Sequence, residues 1–180
     1  MQKIKKHYFN CRELVVLGVF AVAAKVVTLV IALAGGGLNP ISLVLKNLVF
    51  TTLLVVLLYK VRKLGTLSLF AVISGLISFL LLGGGITSIP TALAATLIAE
   101  FIVFITGGFK RFYAPVLAVF LYDLISKLLS LGVSFLIMRE SPGLMLVVVV
   151  IVGVGYIGSL LGLYTGVRSA RELKHAGIIH

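Results

Sequence analysis

Six long runs of apolar residues, separated by short segments rich in charge, glycine and proline, make up most of the sequence. Each run is close to the ~20 residues that a helix needs to cross ~30 Å of hydrocarbon. Helices are expected because a single run in lipid satisfies its backbone polar groups only in this way. The pattern predicts an all-α integral membrane protein, with one six-helix domain over residues 1–180 and transmembrane helices at about 14–34, 41–59, 66–82, 89–106, 113–137 and 144–167.

The placement of the basic residues predicts the orientation of these helices. The chain has 16 Lys and Arg against 5 Asp and Glu, a net charge of +11. Cytoplasmic loops carry an excess of Lys and Arg, and one predicted side of the membrane holds Lys3, Lys5, Lys6, Arg12, Lys60, Arg62, Lys63, Lys110, Arg111, Arg168, Arg171 and Lys174. We therefore expect a multi-pass protein of the cell membrane, with both termini cytoplasmic.

The composition and the placement of the basic residues argue against a soluble globular protein and against a nucleic-acid-binding protein. Apolar residues make up 61% of the chain, above the roughly 45–50% of soluble globular proteins. The basic clusters also lack the interleaved aromatic residues of a nucleic-acid surface, so we expect no nucleic-acid partner.

The first run is longer than a signal-peptide core and contains Lys25, which favours a retained helix over a cleaved one.

Five ionisable residues lie within the apolar runs, where charge is costly and usually faces a bundle interior or cavity. Counting along the helices places Lys25 and Glu100 near the middle of the membrane. A charge pair between helices 1 and 4 is favoured for these two residues over contact with a ligand. Asp123 and Lys127 are four residues apart on one helical face. They could form a local ion pair or contact a ligand.

Lys46 lies close to the outer end of helix 2 and has no acidic residue at the same depth. It could extend outward to the interface or bind an anion, which the nearby helix N-termini would also favour. Asn39 and Ser88 begin helices 2 and 4 after glycine-rich loops, which are either plain turns or segments that close over a ligand. The residues predicted to contact a substrate are Lys46, Asn39, Asp123, Lys127 and Ser88.

The sequence contains no phosphate-binding Gly-x-x-x-x-Gly-Lys-Ser/Thr loop, no His-Glu-x-x-His and no Gly-x-Ser-x-Gly motif. His7, His175 and His180 lie near the termini, outside the predicted membrane. We therefore predict that the protein is not an enzyme and has no catalytic residues, metal or cofactor. Energy from ATP would have to come from another polypeptide.

Two stripes of small residues recur at three- and four-residue spacing, which lets a neighbouring helix approach closely. The stripe on helix 6 is Gly155, Gly158, Gly162 and Gly166, and the stripe on helix 1 is Gly18, Ala21, Ala24, Thr28 and Ala32. Spacing alone does not separate packing within the bundle from docking on a partner.

With these features the chain resembles the substrate-binding S components of energy-coupling factor (ECF) transporters, in particular the Trep_Strep or MptD-type S components. The resemblance rests on the chain length, on six helices with both ends inside, and on three sequence stretches. These are Ile98-Ala99-Glu100-Phe101-Ile102, Gly107-Gly108-Phe109-Lys110-Arg111 and Leu173-Lys174-His175-Ala176-Gly177-Ile178.

The resemblance implies a six-helix fold whose substrate enters from outside, near the loops joining helices 1 to 2, 3 to 4 and 5 to 6. It also implies a separate transmembrane coupling subunit and two ATPase subunits. In such S components helix 1 offers an Ala-x-x-x-Ala stripe to the coupling subunit. The closest match here is Ala24-x-x-x-Thr28-x-x-x-Ala32, so the helix 1 stripe is the predicted coupling-subunit contact.

We therefore predict the substrate-binding subunit of an ECF-type importer, capturing a small, water-soluble, vitamin-like nutrient, with an anion favoured by Lys46. One alternative is a self-sufficient secondary transporter with Glu100 or Asp123 as proton carrier. Another is a membrane scaffold or assembly factor without transport activity.

Overall fold

The computed structural model describes residues 8–36, 39–82, 88–137 and 142–177. Within these ranges the chain forms six α helices, and a short 3-10 turn at Gly108–Lys110 follows the fourth. The helices are α1 (Cys11–Gly35), α2 (Pro40–Lys60), α3 (Thr66–Leu82), α4 (Ser88–Ile105), α5 (Ala114–Ile137) and α6 (Pro142–His175). The all-helical prediction with six helices is confirmed.

Successive helices run in opposite directions, so the bundle has two ends. At one end, the hydroxyl of Ser42 in α2 donates to the carbonyl of Gly35 in α1, 3.1 Å away. At the other, the hydroxyl of Tyr59 donates to the carbonyl of Phe112 before α5, also at 3.1 Å. The end where α1 begins and α6 stops is called the terminal end, and the end where α1 stops and α2 begins is called the far end.

The helix starts follow from local hydrogen bonding. The Asn10 backbone N–H donates to the Glu13 carboxylate at 2.9 Å, which helps to begin α1 before the apolar run. At α2, the Asn39 side chain accepts from the N–H of Ile41 at 3.1 Å, and Pro40 occupies the first turn. Asn39 is therefore a helix cap.

Helix α6 extends beyond its predicted end at residue 167 and reaches His175. The prediction followed the apolar run, but helical hydrogen bonding continues through the polar residues after it. Arg168 and Glu172, one turn apart, approach to 3.4 Å on the exposed surface of this extension. Hydropathy marks where an apolar span stops, which is not where the backbone must leave the helix.

Helices α1, α2, α5 and α6 are each long and apolar enough to cross a membrane. Helices α3 and α4 are apolar but shorter, with 17 and 18 residues, or about 26 and 27 Å at ~1.5 Å per residue.

The helices form a ring in the order α1, α3, α4, α5, α6 and α2, and α2 also touches α5 across it. The α2 helix contributes many of the most deeply buried side chains, including Leu54, Val55, Leu57 and Leu58, each at most 1% exposed. Valine, leucine, isoleucine and phenylalanine dominate the exposed apolar surface, as expected where side chains face lipid.

The glycine stripe of α6 packs within the bundle, against α2. A Cβ atom added at Gly158 would lie 2.4 Å from the carbonyl oxygen of Val44, and one at Gly162 would lie 2.6 Å from that of Leu48. Only glycine allows the two backbones to approach so closely. The hydroxyls of Thr52 and Thr165 form a hydrogen bond of 2.7 Å across the same contact.

The small-residue stripe of α1 is divided between the interior and the surface, which corrects part of the prediction. Ala21 and Ala24 are 0% exposed in the core, on a helix that packs against α2 and α3. They are not accessible to a coupling subunit. Gly18, Thr28 and Ala32 are partly exposed, and a contact through them stays a prediction. The spacing showed a face that permits close approach, but not which neighbour uses it.

Candidate functional site

A cavity of about 240 Å³ lies between α1, α3, α4 and α5, with Phe50 of α2 also in its wall. The surrounding helices are apolar, yet most of the cavity-lining residues carry a polar side chain. The polar residues are Lys25, Ser74, Ser78, Thr91, Tyr122, Ser126 and Ser130. We call this space the polar cavity.

The hydroxyl groups of the polar cavity come from regularly spaced positions. Ser74 and Ser78 are one turn apart on α3, while Tyr122, Ser126 and Ser130 repeat every four residues on α5. Residues four apart share a helical face, so each helix presents one polar stripe to the cavity. These residues were not predicted from the sequence, because hydroxyl groups stand out less in apolar helices than charges do. The four-residue spacing of hydroxyl residues was the pattern that could have revealed them.

The polar cavity lies in the half of the bundle nearer the far end. At ~1.5 Å per residue, Ser78 lies about 6 Å from the end of α3, and Ser130 about 10 Å from the end of α5. Lys25 lies deeper, about 15 Å from the end of α1. A small molecule in this space would therefore contact hydroxyl groups near the far end and an ammonium group further in.

The predicted charge pair between Lys25 and Glu100 is not formed. The Glu100 carboxylate accepts hydrogen bonds from the backbone N–H groups of Leu67 and Ser68, at 2.9 and 3.3 Å, and from the Ser68 hydroxyl at 2.7 Å. It therefore caps the start of α3. Counting from the far end placed Glu100 at mid-membrane, but it lies only about 8 Å from the terminal end of α4.

Asp123 and Lys127 form the local ion pair that their spacing allowed. The Lys127 ammonium lies 2.5 Å from the Asp123 carboxylate and donates to the Ser159 hydroxyl of α6 at 2.7 Å. Asp123 and Ser159 are buried, at 9% and 1% exposure. This contact holds α5 against α6, and neither charged residue lines the polar cavity.

The remaining predicted substrate contacts lie elsewhere. Lys46 is partly exposed on α2 and does not line the polar cavity. Asn39 is exposed and caps α2. Ser88 is the first residue of α4, but its side chain lies outside the described part of the structure.

Two larger grooves, of about 370 and 610 Å³, lie at the terminal end. Arg62 and Lys63 contribute to the first, and Arg168, Arg171 and His175 to the second. The first groove is formed largely by segments that flank the membrane spans, and the second lies between α5 and the last turns of α6. The polar cavity instead lies among the helices, in the half of the bundle nearer the far end. Within the described ranges, no three His, Cys, Asp or Glu residues group as metal ligands. The polar cavity is therefore the candidate site.

Residues 11–142 match a family described as hypothetical bacterial integral membrane protein (Trep_Strep). The chain belongs to this family. A solved structure described as the crystal structure of an S-component of ECF transporter is similar in fold, with a TM-score of 0.66 and 24% sequence identity. The match covers 94% of this chain and 88% of that chain. No curated protein sequence matches the chain significantly.

These comparisons confirm the Trep_Strep resemblance, the S-component fold and the multi-pass membrane localisation. In this Trep_Strep chain, the glycine pair that suggested the resemblance forms a turn after α4. Gly107 and Gly108 have φ angles of +113° and +71°, which side chains rarely adopt. The turn places Phe109 in the core at 5% exposure.

Proposed function

We propose that the chain is the substrate-binding subunit of an ECF-type importer, and that it captures a small, water-soluble nutrient in the polar cavity. The observation that carries the proposal is a hydroxyl-lined cavity inside an S-component-like bundle. Polar groups in lipid are costly unless they serve packing or binding, and several of them converge here on one space. The position near the far end fits entry of substrate from outside.

Transport would need partners that supply energy. The sequence has no phosphate-binding loop of its own, so we propose a transmembrane coupling subunit and two ATPase subunits as the remaining parts of the importer. Gly18, Thr28 and Ala32 are the residues of the α1 stripe that are open to a coupling subunit.

The proton-coupled alternative is less well supported by the geometry. A proton carrier needs a carboxylate that can exchange its proton along the transport path. Glu100 instead caps α3, and Asp123 is held by Lys127. The scaffold alternative requires no bound small molecule, so the first experiment below separates it from the proposal.

The first experiment asks whether the polar cavity holds a compound. The protein is purified in detergent and denatured, and the released small molecules are identified by mass spectrometry. We expect a compound from the wild type that is absent from Ser78→Leu, in which the larger side chain fills the cavity. Thr106→Leu is the control, because Thr106 is exposed at the terminal end of α4. If the wild type and Ser78→Leu release the same compounds, the cavity is not the binding site.

The second experiment tests the need for partners. Membrane vesicles containing the chain alone, or the chain with a coupling subunit and two ATPases, are loaded with ATP and given the recovered compound. Uptake only by the complete assembly supports the proposal. Uptake driven by a proton gradient in the chain alone would instead support the secondary transporter.

A further inference from the structure

Resting on the proposed function, we propose that the substrate is a small anion with several hydrogen-bonding groups, and that the Lys25 ammonium binds its negative group. A carboxylate, a sulfonate or a phosphate ester would meet this description. The assignment moves the cationic contact from Lys46, which the sequence favoured, to a lysine that lines the polar cavity.

The carboxylates described in the structure have partners away from Lys25. The chain has five acidic residues, and the fifth, Glu140, lies outside the described residues. Each of the other four acidic residues has a partner. The contacts are Glu13 with Lys63 at 2.6 Å, Asp123 with Lys127 at 2.5 Å, Glu172 with Arg168 at 3.4 Å, and Glu100 with the start of α3. None of these carboxylates balances the charge of Lys25.

The position of Lys25 also favours a bound anion. Lys25 lies in the middle of an apolar helix, and in the described ranges its ammonium has no hydrogen-bond acceptor and no ion pair. A charged lysine within an apolar membrane-spanning segment is costly when it has no partner. An anion entering the polar cavity would offset that cost, because a charge-assisted hydrogen bond is stronger than one between neutral groups.

The size and the hydroxyl groups of the polar cavity suit the rest of the ligand. The cavity of about 240 Å³ is smaller than the ~300–1,000 Å³ pockets that hold drug-sized ligands, which suits a small metabolite. Ser78 donates to the Ser74 carbonyl at 2.9 Å, so its oxygen remains able to accept a hydrogen bond. Hydroxyls of this kind would bind uncharged polar groups of the substrate.

The test measures how tightly wild type and four variants bind the compound that is recovered from wild type. Lys25→Met removes the charge and keeps most of the apolar stem, so the bundle should fold at least as well as before. Lys25→Arg keeps the charge. Lys46→Met is the matched control, since it removes another lysine from an apolar helix, and Glu140→Gln tests the acid outside the described residues.

We expect the recovered compound to be an anion. Its dissociation constant, measured by titration into ligand-free protein, should rise roughly ten- to a hundredfold in Lys25→Met. Lys25→Arg should restore part of the affinity, while Lys46→Met and Glu140→Gln should bind as wild type does.

Three results would overturn the inference while leaving the proposed function in place. They are a neutral or cationic compound, an anion that binds Lys25→Met as tightly as wild type, and an anion that loses affinity only in Lys46→Met. A phospholipid as the recovered compound would also overturn it, because the bound anion would then be a headgroup. If no compound depends on the cavity, the proposed function itself fails and the inference with it.

Discussion

At the scale of single residues, Glu100 shows how a carboxylate in an apolar helix can be satisfied by backbone groups. The first N–H groups of a helix have no partner within it and carry partial positive charge. The Glu100 carboxylate meets two of them, at Leu67 and Ser68, and also accepts from the Ser68 hydroxyl. Glu100 is only 7% exposed, so the contact joins the start of α3 to α4 inside the bundle.

This geometry predicts a graded effect of substitution at Glu100. Glu100→Leu leaves buried N–H groups at the start of α3 without an acceptor, and should lower the free energy of unfolding by about 1–3 kcal/mol. Glu100→Gln keeps one acceptor oxygen and should lose less. Chemical unfolding of the purified proteins in detergent measures both.

The same pair of variants tests the proton-carrier alternative. If Glu100 carried the proton, Glu100→Gln would fold stably but would not transport. The capping role predicts that substrate binding by Glu100→Gln survives. If Glu100→Leu and wild type had the same free energy of unfolding, the proposed capping of α3 by Glu100 would be wrong.

At the scale of helices, the contact between α2 and α6 depends on side chains that are absent. Gly158 and Gly162 bring the α6 backbone against carbonyl groups of α2, where a Cβ atom would be closer than atoms can pack. Dispersion contacts and hydrogen bonds, more than hydrophobicity, hold helices together in lipid. Close approach at these glycines is therefore a main source of attraction between the two helices.

Gly158→Ala should accordingly push α6 away from α2. The expected loss is about 1–3 kcal/mol in the free energy of unfolding, the usual cost of overpacking. Gly153→Ala is the matched control in the same helix, because a Cβ atom there meets nothing within 4 Å. The free energy of unfolding of Gly153→Ala should equal that of wild type or be slightly higher. Similar losses in both variants would show that the close approach of α2 at Gly158 does not set the effect.

At the scale of the whole molecule, the orientation in the membrane decides which solution the polar cavity faces. The basic residues concentrate at the terminal end, among them Arg62, Lys63, Arg168 and Arg171. By the positive-inside rule we expect the far end to lie outside the cell. With that orientation the hydroxyl-rich part of the cavity lies nearest to the external solution.

The orientation is tested by reporters fused after the C-terminus. We expect a cytoplasm-active reporter to function there and one that works only in the periplasm to remain inactive. The reverse result would place both ends of the chain outside, and it would turn the polar cavity toward the cytoplasm. Capture of an external nutrient would then be ruled out.

The sequence alone determined the features that act along one segment at a time. Runs of apolar residues predicted six helices, and the Asp123 and Lys127 spacing allowed an ion pair that the structure forms. These predictions succeed because hydropathy and helical periodicity are properties of neighbouring positions. The family resemblance, too, rested on local stretches.

Only the tertiary structure decided which residues meet across helices. It assigned Glu100 to the start of α3, placed Ala24 in the core, and brought Lys25 beside the hydroxyls of α3 and α5. Each of these outcomes depends on how far every helix is rotated about its axis and shifted along it. Those two quantities are set by the packing of all the helices together, so no single segment of the chain specifies them.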